Sequence, residues 1–164
     1  MSNIENMITG QDFINMANIF PFNRRFLFKV SEINSIDELF DGENYFAVIL
    51  LGDQYESGHW VVIRKDSQNS FSYFDCLGAE IDPKIANLFN EMSYDCEVKI
   101  LNKALMNESN IICGKYCILF CLSGDCDIND FYESLSNNKN MTSDQIVDNL
   151  VRIAIKNNDE SPFY

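Results

Sequence analysis

Gly58-His59-Trp60-Val61-Val62-Ile63-Arg64 is the stretch on which the reading turns. Three consecutive β-branched residues behind an aromatic one predict a strand over His59–Arg64. At its start stands the only histidine of the 164-residue chain. A lone imidazole leaves no ambiguity about which side chain can act as a base near neutral pH. Sixteen residues on, Asp75 closes the run Phe71-Ser72-Tyr73-Phe74-Asp75, and Cys113 follows in Ile111-Ile112-Cys113-Gly114-Lys115-Tyr116-Cys117. Histidine, carboxylate and thiol, in the order His…Asp…Cys, are the parts of an activated-thiol nucleophile.

Outward from that stretch, Tyr45–Leu51 and Phe71–Asp75 carry the same β-branched and aromatic signal, with Gln54–Gly58 and Asp66–Ser70 as polar connections. Both loops are short enough for antiparallel neighbours. Asp82-Pro83 places a cap and an N1 proline ahead of Ile85, Leu88, Phe89 and Met92, which predicts a helix. Cys96–Leu101 reads as a further strand. Cys113 opens a helix that Gly124 ends, and helices follow over Ile128–Leu135 and Asp144–Lys156, the last behind Thr142 and Ser143. Upstream, Thr9–Phe20 has the spacing of an amphipathic helix stopped by Pro21, and Ser35-Ile36-Asp37-Glu38 has the form of a capped turn. Helix, then strands, then helices is the α+β class. No repeat or linker divides the chain, so residues 1–164 are expected to form one domain.

Composition narrows the function. Twelve basic against twenty-five acidic residues give a net charge of −13, which disfavours a nucleic-acid partner. The longest apolar run, Tyr45–Leu51, falls far short of the roughly 20 residues a membrane span needs. Met1-Ser2-Asn3-Ile4-Glu5-Asn6 has neither the basic nor the apolar part of a secretory signal, so an intracellular location is expected. In that setting the six cysteines are expected to be free thiols rather than a disulfide framework. Cys113, Cys117 and Cys121 recur every four residues, which suits one helix face better than a zinc knuckle, and no metal or cofactor is expected. Asp125-Cys126-Asp127-Ile128-Asn129 imitates the start of a calcium loop but lacks its glycine and its closing glutamate. Asp125 or Asp127 is expected to cap the next helix instead.

The chemistry fits the predicted elements. A thiol in the first turn of a helix meets unpaired N–H groups and the positive end of the dipole, which favour the thiolate. Gly114 lets a substrate backbone approach, and the N–H groups there could hold an oxyanion. If the His59 and Asp75 strands pair antiparallel, strand start and strand end share one edge of the sheet. There the carboxylate can accept the imidazole N–H and stabilise the cation.

Gly-His-Trp before a strand, Tyr-Phe-Asp-x-x-Gly, and Cys-Gly-x-Tyr-Cys before an apolar helix together resemble the adenovirus-protease and SUMO-protease clan of cysteine peptidases. The likeness is greatest to its viral branch of maturation proteases, found in adenoviruses, virophages, Maverick/Polinton elements and large DNA viruses. It covers Asn44 to Leu122, with Asp37-Glu38-Leu39 upstream. The resemblance implies a papain-like core: a mixed central sheet flanked by helices, with the nucleophile at a helix N-terminus. It also implies His59 as general base, Asp75 as its orienting carboxylate and Cys113 as nucleophile, with Trp60 and Gly114 beside a small substrate residue. Relatives carry a glutamine six or seven residues before the cysteine as oxyanion donor. Asn107 stands there in this chain, a methylene shorter, and Asn110 is the alternative. The implied substrate is a capsid or core precursor protein, cut in the virion or the host-cell cytoplasm. The DNA and peptide cofactors of the adenovirus enzyme are not carried over to so acidic a chain.

Overall fold

A computed structural model describes residues 26–40, 45–51, 59–105 and 113–159. The helix expected over Thr9–Phe20, the loop Gln54–Gly58, and Asn107 and Asn110 lie outside these residues.

Five strands form one mixed sheet in sequence order: β1 (Leu27–Lys29), β2 (Phe46–Leu51), β3 (His59–Ser67), β4 (Ser70–Phe74) and β5 (Glu97–Ile100). β1 runs parallel to β2 and β5 parallel to β4, while β2–β3 and β3–β4 are antiparallel. The helices are α1 (Pro83–Asn90), α2 (Cys113–Leu122), α3 (Ile128–Ser136) and α4 (Ser143–Asp159). Among the described residues no helix is long and apolar enough to cross a membrane.

The central strands are buried on both faces, Phe46 to Leu50 in β2 and Trp60 to Arg64 in β3. That explains their unbroken apolar runs, since alternation is needed only where one face meets water. On one face Ala47, Ile49, Val61, Ile63, Phe71 and Tyr73 pack under Ile85, Leu88 and Phe89 of α1 and under Ile33, Ile36 and Leu39. On the other, Phe46, Val48, Leu50, Trp60, Val62 and Phe74 pack under α2, with Phe131 of α3 and Val147 and Val151 of α4 behind it. α2 has apolar residues all round, the pattern of an enclosed helix, and eight of its ten residues are buried.

The helix starts follow local chemistry. The Asp82 carboxylate accepts the N–H groups of Lys84 and Ile85, with Pro83 at the first helical position. Asp127 accepts those of Asn129 and Asp130, so it caps α3. Thr142 and Gln145 exchange side chain-to-backbone bonds at the start of α4, a capping box. One expectation is corrected. β3 runs on to Ser67, past the expected loop start at Asp66, because Lys65 and Ser67 still pair with β4 across an irregular step. The capped turn expected at Ser35–Leu39 is present as a single 3-10 turn, Asp37–Phe40, with the Ser35 hydroxyl accepting the Glu38 N–H.

Candidate active site

The hairpin β3–β4 places Val62 opposite Phe74, so the start of β3 and the end of β4 share one edge of the sheet. There His59 Nε2 stands 2.6 Å from Asp75 Oδ1. Asp75 is held in turn by its own loop. Its Oδ1 also accepts the Leu77 N–H at 2.9 Å, and its carbonyl accepts the N–H of Gly78 at 2.9 Å. Gly78 has φ +64°, and a Cβ there would lie 2.5 Å from the carbonyl carbon of Lys103. Only glycine lets the chain leaving β5 press this close to the carboxylate turn. The Leu105 N–H then bonds the Cys76 carbonyl at 2.8 Å, fixing that chain where it departs toward Cys113.

Cys113 is the first residue of α2 and is buried. Its helix is fastened from two sides. One turn on, the Cys117 thiol donates to the carbonyl of Trp60, the neighbour of His59, at 3.3 Å. On the opposite side, α4 supplies Asp148 to the Lys115 ammonium and Asp144 to the Tyr116 hydroxyl. Both carboxylates are one turn apart on α4 and grip the two residues that follow Gly114. Lys115 is only 6% exposed, and Asp148 is the carboxylate that balances it.

The imidazole is tuned by this setting. Burial works against its cation, but the hydrogen bond to Asp75, then the interactions with Cys113, outweigh it, and the pKa is pushed up to about 9. With Nε2 committed to Asp75, Nδ1 is the nitrogen left to exchange a proton with the thiol. Nδ1 is buried and makes no hydrogen bond among the described residues. Burial pushes the thiols of Cys76, Cys96, Cys117, Cys121 and Cys126 up. All six are free.

His59, Asp75 and Cys113 are thus brought together from a strand start, a strand end and a helix start. Trp60 and Gly114 are both buried; Trp60 is 5% exposed and packs with the α2 cluster. The sequence reading missed Lys115, Tyr116, Asp144 and Asp148. Their signal was present, since a lysine inside a helix that is apolar all round needs a carboxylate from elsewhere.

No family model matches the sequence, and no curated protein matches it. Among solved structures, the fold is similar to the crystal structure of ASFV pS273R protease. The identity is 13% and the TM-score 0.48, covering 89% of this chain and 64% of that one. A Se-Met crystal structure of the same protease gives 13% identity and a TM-score of 0.45, covering 90% and 65%. This chain spans just under two-thirds of the length of either.

Proposed function

We propose that the chain is a thiol-dependent endopeptidase working through His59, Asp75 and Cys113. One observation carries the reading: the single imidazole is bonded through Nε2 to Asp75 and interacts with a cysteine at the first position of a buried helix. In this mechanism the Cys113 proton passes to His59 Nδ1, giving a thiolate–imidazolium pair that Asp75 stabilises. The thiolate attacks the substrate carbonyl, and the oxyanion is met by N–H groups at the start of α2. Imidazolium gives its proton to the leaving amine as the acyl-enzyme forms. His59 then takes a proton from water, and the hydroxide equivalent releases the acid product and the free thiol. Asn107 is proposed as a further oxyanion donor, with Asn110 as the alternative.

The motifs around these residues resemble the viral maturation branch. We therefore take the substrate to be a capsid or core precursor, cut after a small, glycine-like residue in the virion or the infected cytoplasm. Trp60 and Gly114 are proposed to border that residue. The same atoms serve a ubiquitin- or SUMO-like deconjugase, so the substrate decides between them.

The test is labelling by a peptide aldehyde or vinyl sulfone ending in glycine, followed by cleavage assays on precursor-derived peptides and ubiquitin-family C-terminal reporters. Labelling of Cys113 and cleavage of precursor peptides are expected. Cleavage of the reporters alone would make the chain a deconjugase. No labelling and no cleavage would make it a binding module.

A further inference from the structure

Cys76 follows Asp75 directly, is fully buried, and has no task in acyl transfer. An imidazole nitrogen of His59, a carboxylate oxygen of Asp75 and the Cys76 Sγ lie within 4.8 Å of one another. Nitrogen, carboxylate oxygen and thiolate sulfur are the donors zinc takes. Three protein donors leave a fourth coordination position open.

We propose that His59, Asp75 and Cys76 form a binding site for a borderline-soft divalent cation of the zinc type, and that its occupation reversibly switches the peptidase off. The inhibitory half of this inference rests on the peptidase reading; the binding half does not. Bond lengths of about 2.0–2.3 Å put tetrahedral donors about 3.3–3.8 Å apart. Cys76 closes inward by about 1 Å, while the 2.6 Å His59–Asp75 pair opens as the metal replaces the proton between them. Two protons leave to solvent, one from the imidazole and one from the thiol, and nothing is oxidised or reduced. A metal on His59 removes the base that Cys113 depends on.

Zinc titration of the wild type, Cys76→Ala and Cys76→Ser tests the site. Serine keeps the side-chain volume where alanine leaves a small void. Turnover without metal stays at the wild-type level in both, while the half-inhibitory zinc concentration rises about tenfold or more. Cobalt reads the site without turnover. Co²⁺ added to Cys113→Ala gives the thiolate-to-metal absorption of one bound ion, and Cys113→Ala combined with Cys76→Ala gives none. Equal zinc inhibition of wild type and both Cys76 variants, or a cobalt band that survives loss of Cys76, overturns the proposal. A Cys76-dependent cobalt band in a protein that never cleaves peptide removes the peptidase reading and leaves the metal site standing.

Discussion

The two faces of the sheet are built to different rules. The face under α1 is a plain apolar core: Ile49, Val61, Ile63, Phe71 and Tyr73 against Ile85, Leu88 and Phe89. The face under α2 is as tightly buried but carries charge. Arg64 is 3% exposed and bonds Asp66, Ser72 and the carbonyls of Gly124 and Cys126, while its guanidinium lies 4.8 Å from the Phe120 ring centre. Lys115, on α2 itself, is buried as well. A core that buries ions risks several kcal/mol on every partner lost, whereas one of aliphatic and aromatic side chains risks only transfer and cavity terms. The ionic contacts fix the helix that starts at Cys113 against the strand that starts at His59. Directional bonds set a position; apolar packing alone sets mainly a distance.

The largest effect expected from this contrast is kinetic and confined to the α2 side. Cys113→Ala should lower kcat/KM by about 10⁴-fold or more, with a melting temperature close to wild type. His59→Ala should be nearly as damaging. Near-wild-type turnover in either, with intact folding by circular dichroism, breaks the assignment.

Asp75→Asn should fall between, retaining about one to two decades more activity than His59→Ala, because the carboxylate orients and stabilises without exchanging protons. It should also change the pH profile. In the proposed mechanism His59 holds the proton that goes to the leaving amine, and its pKa is pushed up to about 9. Cleavage by the wild type should therefore decline as pH rises through about 9. The amide removes the contact that raises the pKa, so the decline in Asp75→Asn should begin at lower pH. An unmoved alkaline limb would mean that Asp75 does not tune the ring.

Stability should separate the faces next. Phe71 is fully buried on the α1 side, with ring centres 5.7 Å from Phe40 and 5.3 Å from Phe89. Phe71→Ala should cost about 3–5 kcal/mol in denaturant unfolding, yet turnover per folded molecule should stay at wild type. Asp148→Asn should cost less, about 2–3 kcal/mol, since Asp148 is partly exposed and water can relieve Lys115. It should nevertheless lower kcat, because the residues gripped lie directly after Gly114. Equal specific activity in the two variants would show that α4 stabilises α2 without positioning Cys113.

Much of this was legible in the sequence, for local reasons. Asp82-Pro83, Asp127 and Thr142 announce their helices because a cap needs only the next three residues. β2, β3 and β4 announce themselves because β-branched and aromatic runs fit little else. His59, Asp75 and Cys113 stood out because the chain offers one imidazole. What stayed hidden is non-local. β1 has three residues, Leu27-Phe28-Lys29, and exists only by pairing in parallel with β2. The far end of β3 is polar, Lys65-Asp66-Ser67, and reads as loop until Asp66 meets Arg64 and Ser72. The grip on Lys115 spans thirty-three residues to Asp148, beyond any periodicity. Cys76 looked like one thiol among six, and only the fold sets it beside His59.

The smallest prediction is the sharpest test of the contrast, because it matches the two faces in cost. Ile49 is fully buried under α1, and Ile49→Val should cost about 1 kcal/mol. Cys117→Ala removes a small buried group and one weak hydrogen bond, and should cost about the same. Equal stability loss need not mean equal consequence. The Cys117 thiol joins α2, one turn beyond Cys113, to the carbonyl of Trp60, one residue beyond His59. Losing it should let the helix start drift against the base. Turnover should drop severalfold at constant KM, and iodoacetamide should alkylate Cys113 more slowly in the same proportion. Ile49→Val should leave both rates alone, since the packing it trims lies under α1 rather than α2. If both variants lose equal stability and keep equal rates, the thiol–carbonyl contact is packing only. The ordering of Cys113 then rests on the Asp144 and Asp148 contacts from α4.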